Sequence, residues 1–199
     1  IEGKYVNHRE AEIDDSEFIL RLRTDPEKAK YLHKTDPDLD KQIRYMQNYK
    51  SLDNEWYFIV ENKNGVPIGT NSVSPCPVFT EDWKDAEASL HYGKDVGVLS
   101  SGRWLMVDNL NPIMGLETDI LMKDFCFNML HLSFMPMIIH KDNLSVMRFQ
   151  QKWGAKIIGW REDISHHMLE LDKEDYLKTK IVFERNNYKA FIEVKDYLV

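Results

Sequence analysis

The chain of 199 residues has only two cysteines and no apolar run that approaches the length of a membrane helix. Such a helix needs about 20 apolar residues, and residues 1–4 do not resemble the start of an export signal. Cys76 and Cys126 form no CxxC pair, so the sequence predicts neither a zinc site nor a disulfide framework. Two free thiols are expected, and with them a protein of the reducing cytoplasm.

The chain also lacks an excess of basic residues. Its 33 acidic and 26 basic side chains give a net charge of −7 at neutral pH. Nucleic-acid binding uses clustered lysine and arginine to displace counterions, and a polybasic segment is what binds an anionic membrane surface. We therefore expect neither nucleic acid nor membrane as a partner. The composition, 43% hydrophobic and 30% charged, is that of a globular protein, and with no linker or repeat, 1–199 is predicted to be one domain.

The most informative segment is 143–155, which lies between apolar runs at 134–139 and 156–160. Asn143 belongs to a residue type that caps helices, and Gly154 is expected to end the helix in a left-handed conformation. Between them, the apolar residues recur at the spacing of one helical face. They are Val146, Phe149 and Trp153. The pattern predicts strand, helix, glycine stop and strand.

The rest of the chain predicts a strand, two helices, an antiparallel meander, a long helix, and then the segments just described, followed by a last strand. The predicted strands are 5–10, 56–61, 68–73, 86–92, 103–107, 134–139, 156–160 and 166–171, and the long helix is 115–130. The turn-rich segment 93–102 is expected to join two strands, and residues 178–199 are left without an assignment. Strands and helices do not simply alternate, which disfavours a doubly wound nucleotide-binding fold.

Several motifs of the chain, taken together, resemble the GNAT superfamily of acyl-CoA-dependent N-acetyltransferases. They are Gly102-Arg103-Trp104-Leu105-Met106, the run 115–127, Asn143-x-x-Val146-x-x-Phe149-Gln150, and Gly154-Ala155. The resemblance covers about 55–165 and is nearest to a branch that acts in bacterial polysaccharide biosynthesis. It implies an α/β (α+β) fold, with a mixed, mostly antiparallel sheet of about seven strands, a central splay and helices on both faces.

The same resemblance implies acetyl-CoA as co-substrate and a small-molecule amine as acceptor, an amino sugar carried on a nucleotide. In that family a helix N-terminus holds the diphosphate of CoA, and a strand edge holds the pantetheine arm. Carried over, these are segment 112–117, which keeps one glycine of the family pattern and adds an anion at Glu117, and the strand edge 105–107. The cofactor-binding residues expected on this basis are Leu105, Met106, Val107, Met114, Gly115, Leu116, Glu117, Thr118, Asn143 and Phe149.

The acceptor ammonium must lose a proton before it attacks. Glu87 and His91 would share one face of the predicted strand 86–92, which selects them as candidate general bases. His140 follows the fifth family strand and is a further candidate, whereas His166 and His167 alternate faces and cannot both point into one site.

A group must also protonate the leaving thiolate. Many members of the family use a tyrosine on the helix that Asn143 starts, and the equivalent residue here is Gln150, which is no acid. Ser145, one turn earlier, is the expected substitute and resembles the arrangement in ribosomal-protein N-acetyltransferases, although serine near a helix start is often a cap. No carboxylate or thiol has metal-ligand spacing from the paired histidines, so no metal site is predicted.

The acceptor side is expected to be formed by the helices at 14–50. Their possible phosphate or sugar contacts are Arg21, Arg23, Tyr31 and His33, although an exposed helix face explains these residues equally well. Three alternatives stay open: a protein N-terminal acetyltransferase, a non-catalytic CoA-binding module, and an unrelated α/β binding domain. The sequence leaves monomer and homodimer open. A continuous ladder between 103–108 and 134–139 would exclude a CoA cleft.

Overall fold

The computed structural model describes residues 1–52, 55–75 and 99–185. The strands are β1 (Val6–Glu10), β2 (Trp56–Asn62), β3 (Pro67–Pro75), β4 (Leu99–Met106), β5 (Phe134–His140), β6 (Lys156–Arg161) and β7 (His166–Asp172). The helices are α1 (Ser16–Thr24), α2 (Leu39–Tyr49), α3 (Pro112–Asp124), α4 (Leu144–Lys152) and α5 (Lys173–Arg185). A π-helical segment, Phe125–Met129, extends α3. None of these helices is long and apolar enough to cross a bilayer.

The strands form two antiparallel sheets, ordered β1-β2-β3-β4 and β5-β7-β6. The edge strands β4 and β5 are neighbours, and the Ser100 hydroxyl donates to the Pro136 carbonyl at 2.9 Å. No ladder joins these two described strands. The predicted GNAT-like architecture, about seven strands with a central splay, is confirmed.

A bulge in β4 directs two neighbouring side chains to opposite faces of the first sheet. Arg103 and Trp104 lie opposite the single β3 residue Asn71, and Arg103 has a φ of +52°. Bulges bend a strand and redirect its side chains. Here the Trp104 ring packs on Phe149 of α4, with 5.6 Å between centroids, whereas the Arg103 guanidinium lies 5.1 Å from the centroid of the Tyr57 ring. The two residues therefore face opposite sides of the sheet.

Helices cover both of these sides, as the alternation along β2 shows. Tyr57 and Ile59 pack in one cluster with Ile19 of α1 and Met46 of α2. Phe58, between them in sequence, packs in the main core with residues of α3, α4 and the second sheet. We call the side that bears α1 and α2 the acceptor face, after the acceptor site that the sequence predicts there.

Helix α4 forms as predicted except at its cap. Gly154 has a φ of +105°, and Phe149 and Trp153 are buried. Asn143 occupies the N-cap position, but its side chain makes no capping bond; instead its Oδ1 accepts from the Ser145 hydroxyl at 3.4 Å. The amide groups of the first turn are thus left without a side-chain cap.

Three element boundaries differ from prediction by three residues or more. Helix α3 starts at Pro112 rather than at 115, because the Asn111 side chain caps it and proline suits the first helical position. Strand β4 starts at Leu99, inside the predicted turn, because the glycine at 102 lies in the ladder beside the bulge. Helix α5 extends to Arg185, within the tail that had no assignment. The predicted strand 86–92, with Glu87 and His91, and Cys76 lie outside the described residues.

Candidate active site

The gap between β4 and β5 has one backbone edge free to bind a ligand. The Val107 N–H donates to the Ile68 carbonyl at 2.9 Å, so Val107 and, two residues before it, Leu105 turn their polar groups towards β3. Successive residues of a strand turn these groups to opposite edges. Of the three residues predicted to hold the pantetheine arm, Met106 therefore directs its N–H and carbonyl into the gap, and the backbones of Leu105 and Val107 are used in the sheet.

The N-terminus of α3, the predicted diphosphate site, is partly satisfied by its own residues. Pro112 has no N–H, and the Ile113 N–H donates to the Asn111 side chain at 3.1 Å. The Met114 N–H donates to the Asn111 carbonyl at 2.8 Å. An anion at this helix end would have to displace the Asn111 side chain to reach the Ile113 N–H.

Glu117 has a structural role that the sequence did not reveal. Its carboxylate accepts the backbone N–H groups of Lys4, Tyr5 and Val6 at 2.8, 2.6 and 2.8 Å. The side chain therefore anchors the start of β1 to α3, and cofactor binding by Glu117 stays a prediction that would have to use its backbone. The partners are more than 110 residues away in sequence, so no local pattern could have indicated them.

We expect Glu117→Gln to lower the free energy of unfolding by about 2 kcal/mol, because hydrogen bonds to a charged acceptor are worth about 1.5–3 kcal/mol and glutamine offers one oxygen in place of two. Urea unfolding measures this. Glu27→Gln, whose carboxylate is exposed, is the control, with a loss of less than about 0.5 kcal/mol expected. Equal losses in the two variants would contradict the anchoring role.

Three more predicted cofactor residues have side chains occupied within the protein. Leu116 and Phe149 are 0% and 1% exposed in the main core. The Thr118 hydroxyl donates to the Met114 carbonyl at 2.8 Å within α3. Cofactor binding by these residues stays a prediction, and it would have to use their backbone groups. Gly115 is buried at the first turn, and the Met114 N–H is bonded to the Asn111 carbonyl; cofactor binding by these two residues stays a prediction.

A basic pocket of about 270 Å³ lies on the acceptor face. Its lining residues are Arg23, Lys34, Thr35, Asp36, Lys41, Gln42, Tyr45, Tyr57 and Arg103. Four of them are basic and one is acidic. Lys41 pairs with Asp36 and Arg103 with Glu55, so the excess positive charge that suits an anionic ligand comes from Arg23 and Lys34. Arg23 donates through Nε to the Thr35 hydroxyl at 2.9 Å, and its guanidinium also interacts with the buried Tyr57 hydroxyl, where it opposes the burial that raises the pKa of that phenol.

Arg103 keeps its charge in this pocket despite partial burial. Burial lowers the pKa of its guanidinium, but the electrostatic interactions with Tyr45 and Glu55 and a hydrogen bond to Glu55 outweigh that effect and raise the pKa overall. Burial also raises the pKa of Tyr45, which stays a neutral phenol and a hydrogen-bond donor. The pocket thus combines fixed positive charge with aromatic surface.

The segment between α1 and α2 contacts the residues that follow β4 and β5. Lys28 forms an ion pair with Asp108, two residues after β4. The Tyr31 hydroxyl donates to the Asp142 carbonyl, two residues after β5, at 3.0 Å, and its ring stacks on His140 at 5.3 Å. The predicted acceptor residues therefore lie in two different places: Arg23 lines the basic pocket, whereas Tyr31 lies at the end of β5.

Solved structures identify this arrangement of two sheets and a gap. The apo structure of FdhC, a nucleotide-linked sugar GNAT, superposes with a TM-score of 0.73, covers 93% of this chain and 96% of its own, and is 23% identical. The chain has the GNAT fold. No protein-family model matches it, and no curated protein matches it in sequence.

Two other proteins of GNAT fold are similar over most of the chain. Spermidine N-acetyltransferase from Vibrio cholerae, solved with CoA and spermine, has a TM-score of 0.68, 15% identity, and coverage of 88% of this chain and 99% of that one. A GCN5-related N-acetyltransferase from Brucella melitensis has a TM-score of 0.66, 14% identity, and coverage of 92% and 83%. All three are too distant to carry residue roles across.

Within this GNAT fold, Gln150 points away from the gap. It is 5% exposed, and its amide donates to Asp119 of α3 at 3.1 Å. The sequence could not show that this residue belongs to the interior of the α3–α4 contact. Ser145 is half-buried at the uncapped start of α4, and its role as proton donor stays a prediction. Cofactor binding by Asn143, beside it, likewise stays a prediction.

Proposed function

We propose that this protein transfers an acetyl group from acetyl-CoA to the primary amine of a small acceptor, a nucleotide-linked amino sugar. The observation that carries the proposal is the unpaired gap between β4 and β5, which opens beside a basic pocket on the acceptor face. The gap supports a CoA thioester as donor, and the pocket supports an anionic acceptor.

The residues at the gap fit the arm of CoA. The backbone of Met106 would hold pantetheine by strand-like hydrogen bonds. The start of α3 at Gly115 would hold the diphosphate, joined by the Ile113 N–H once the Asn111 side chain moves away from it. A CoA complex of a protein with this fold supports the assignment. When bound, acetyl-CoA supplies an electrophilic thioester carbonyl.

The chemistry asked of the chain is limited. An ammonium loses a proton, the neutral amine attacks the thioester carbonyl, the carbon–sulfur bond breaks, and the thiolate takes up a proton from Ser145, which is reprotonated from solvent. Backbone N–H groups beside the gap stabilise the oxyanion. No covalent enzyme intermediate is needed, because the amine itself is the nucleophile.

The basic pocket supports a nucleotide-linked acceptor over a polyamine. Arg23 and Arg103 offer charged hydrogen-bond donors that match the oxygens of a diphosphate. The same charges repel spermidine, although proteins of similar fold include spermidine acetyltransferases. A nucleotide-linked sugar GNAT among the similar structures agrees with this preference.

A second candidate is a GNAT-fold module that binds CoA without catalysis. It is favoured by Asn111, which occupies the donor at the start of α3, and by Gln150, which stands where a tyrosine acid is usual. Calorimetry with acetyl-CoA, followed by a turnover assay, separates the candidates: binding without turnover of any amine identifies the module.

The test is thiol release from acetyl-CoA with three acceptors at equal concentration: a nucleotide-linked amino sugar, a peptide with a free α-amino group, and spermidine. We expect kcat/KM for the first to exceed the others by about 10- to 100-fold, the worth of one charged hydrogen bond. The same amino sugar without its nucleotide is the control and should lose most of that advantage. A preference for the peptide would establish the N-terminal acetyltransferase instead.

A further inference from the structure

Two histidine rings meet at the end of the strand that borders the gap. His140 of β5 and His166 of β7 are direct partners in the antiparallel ladder, so their side chains share one face of the second sheet. Their ring centroids lie 5.2 Å apart, edge to face. The Tyr31 ring also contacts His140, stacked at 5.3 Å between centroids.

These rings lie on the acceptor face. Met135, Met137 and Ile139 of β5 point into the main core, and alternation places His140 on the opposite side of the sheet. That side is the one reached by Tyr31, from the segment between α1 and α2. An amine that enters from the acceptor face towards the gap therefore passes beside this histidine pair.

Hydrogen bonds fix which nitrogen of each ring carries a proton. The Ile164 carbonyl accepts from His166 Nδ1, and because a carbonyl can only accept, the proton is on Nδ1 and the lone pair is on Nε2. No described group donates to that Nε2. In His140, Nδ1 accepts the Asp142 N–H at 3.2 Å, so the proton is on Nε2. The pair offers one acceptor and one donor.

The surroundings keep the His166 ring neutral. Burial lowers its pKa, and repulsion from His140 of β5 and His33 of the α1–α2 segment lowers it further, against the bond to Ile164, which raises it. Arg161, its partner on β6, directs its guanidinium to Asp163. The Nε2 lone pair is therefore present near pH 7.

We propose that His166 is the general base of the acetyl transfer. The inference rests on the proposed function and adds a residue to it. Nε2 takes a proton from the acceptor ammonium, one N–H bond of the substrate breaks and an Nε2–H bond forms. The free amine then attacks the thioester, and the imidazolium returns its proton to solvent. His167, the next residue, lies on the opposite face beside Trp160 and takes no part.

His166→Asn tests the base with little change in structure, because the asparagine amide can still donate to the Ile164 carbonyl while Nε2 is lost. His167→Asn is the matched control on the same strand. We expect His166→Asn to lower kcat at pH 7 by about 10²- to 10⁴-fold and to leave the Kd for acetyl-CoA within threefold, with His167→Asn near wild type. The deficit should shrink steadily from pH 7 to pH 9, as solution deprotonates more of the acceptor.

Each other outcome counts against the base. If kcat of His166→Asn is within threefold of wild type, His166 is not the base, while the proposed function stands. The same holds if the deficit in kcat is constant with pH or is equally large in His167→Asn. A wild-type protein that does not bind acetyl-CoA overturns the proposed function and the base with it. Nitrogen-15 spectra of the wild type give a second readout: a proton on His166 Nε2, with Nδ1 bare, overturns the assignment whatever the activities.

Discussion

Replacing Asp119 with asparagine is expected to lower the free energy of unfolding by about 3–5 kcal/mol, the usual cost of removing one partner of a buried ion pair. Lys123 is 0% exposed and pairs with Asp119 one helical turn away. Its ammonium also lies over the rings of Phe149 and Trp153, at 5.9 and 5.5 Å from their centroids. The variant leaves this charge in the core between α3 and α4 without a counter-charge.

Deprotonation of Lys123 limits that loss and gives it a pH dependence. Burial already lowers the pKa of this ammonium, and Asp119 opposes the effect. Without Asp119, Lys123 can lose its proton in the folded protein. At pH 7, deprotonating a lysine whose pKa in the unfolded chain is 10.5 costs about 4.8 kcal/mol, which is the upper limit of the loss. Because the folded pKa lies below the unfolded one, stability then rises with pH, and the deficit narrows by up to about 1.4 kcal/mol per unit between pH 7 and 10.

The measurement is urea unfolding of wild type and variant from pH 7 to pH 9.5. Glu174→Gln is the control, since Glu174 and Lys178 have the same i, i+4 spacing but are exposed; a change below about 0.5 kcal/mol is expected. A loss below 1 kcal/mol in Asp119→Asn, or a deficit that widens with pH, would contradict a charged lysine that depends on Asp119.

The architecture could be predicted because it follows from the local spacing of apolar residues along the chain. The spacing of Val146, Phe149 and Trp153 gives the buried stripe of α4, and Gly154 gives its end, and both are observed. The apolar runs give the strands of both sheets. The resemblance adds what periodicity does not contain, that the two sheets separate at β4 and β5.

Individual roles at the candidate site could not be predicted, because they depend on partners far away in sequence. The Glu117 carboxylate accepts hydrogen bonds from backbone N–H groups near residue 5, and the Gln150 amide donates one to Asp119. The local sequence gives the type and spacing of residues, but it does not indicate which distant group forms a hydrogen bond with a given side chain. His166 shows the converse: alternation says that one of two adjacent histidines faces away, and only the contact with His140 says which one.

Arg23→Gln is expected to lower kcat/KM for a nucleotide-linked amino sugar by about 10- to 100-fold, mostly through KM. A hydrogen bond to a charged group is worth about 1.5–3 kcal/mol, which corresponds to that range. Arg23 lines the basic pocket, and its Nε donates to the Thr35 hydroxyl rather than to a carboxylate. Its loss therefore leaves no buried acid unpaired, unlike loss of Arg103, which would strand Glu55.

Arg21 provides a matched control on the same helix, since its guanidinium lies over the Phe18 ring at 5.4 Å and does not line the pocket. Arg21→Gln carries the same change in net charge, so a general field effect would lower both variants equally. We expect only Arg23→Gln to lose activity, and only with a phosphorylated acceptor; with the same amino sugar freed of its nucleotide, both variants should match wild type. A deficit in Arg23→Gln that persists with the free sugar would show that Arg23 acts on the reacting amine or on the fold, and the pocket would lose its assignment as a diphosphate site.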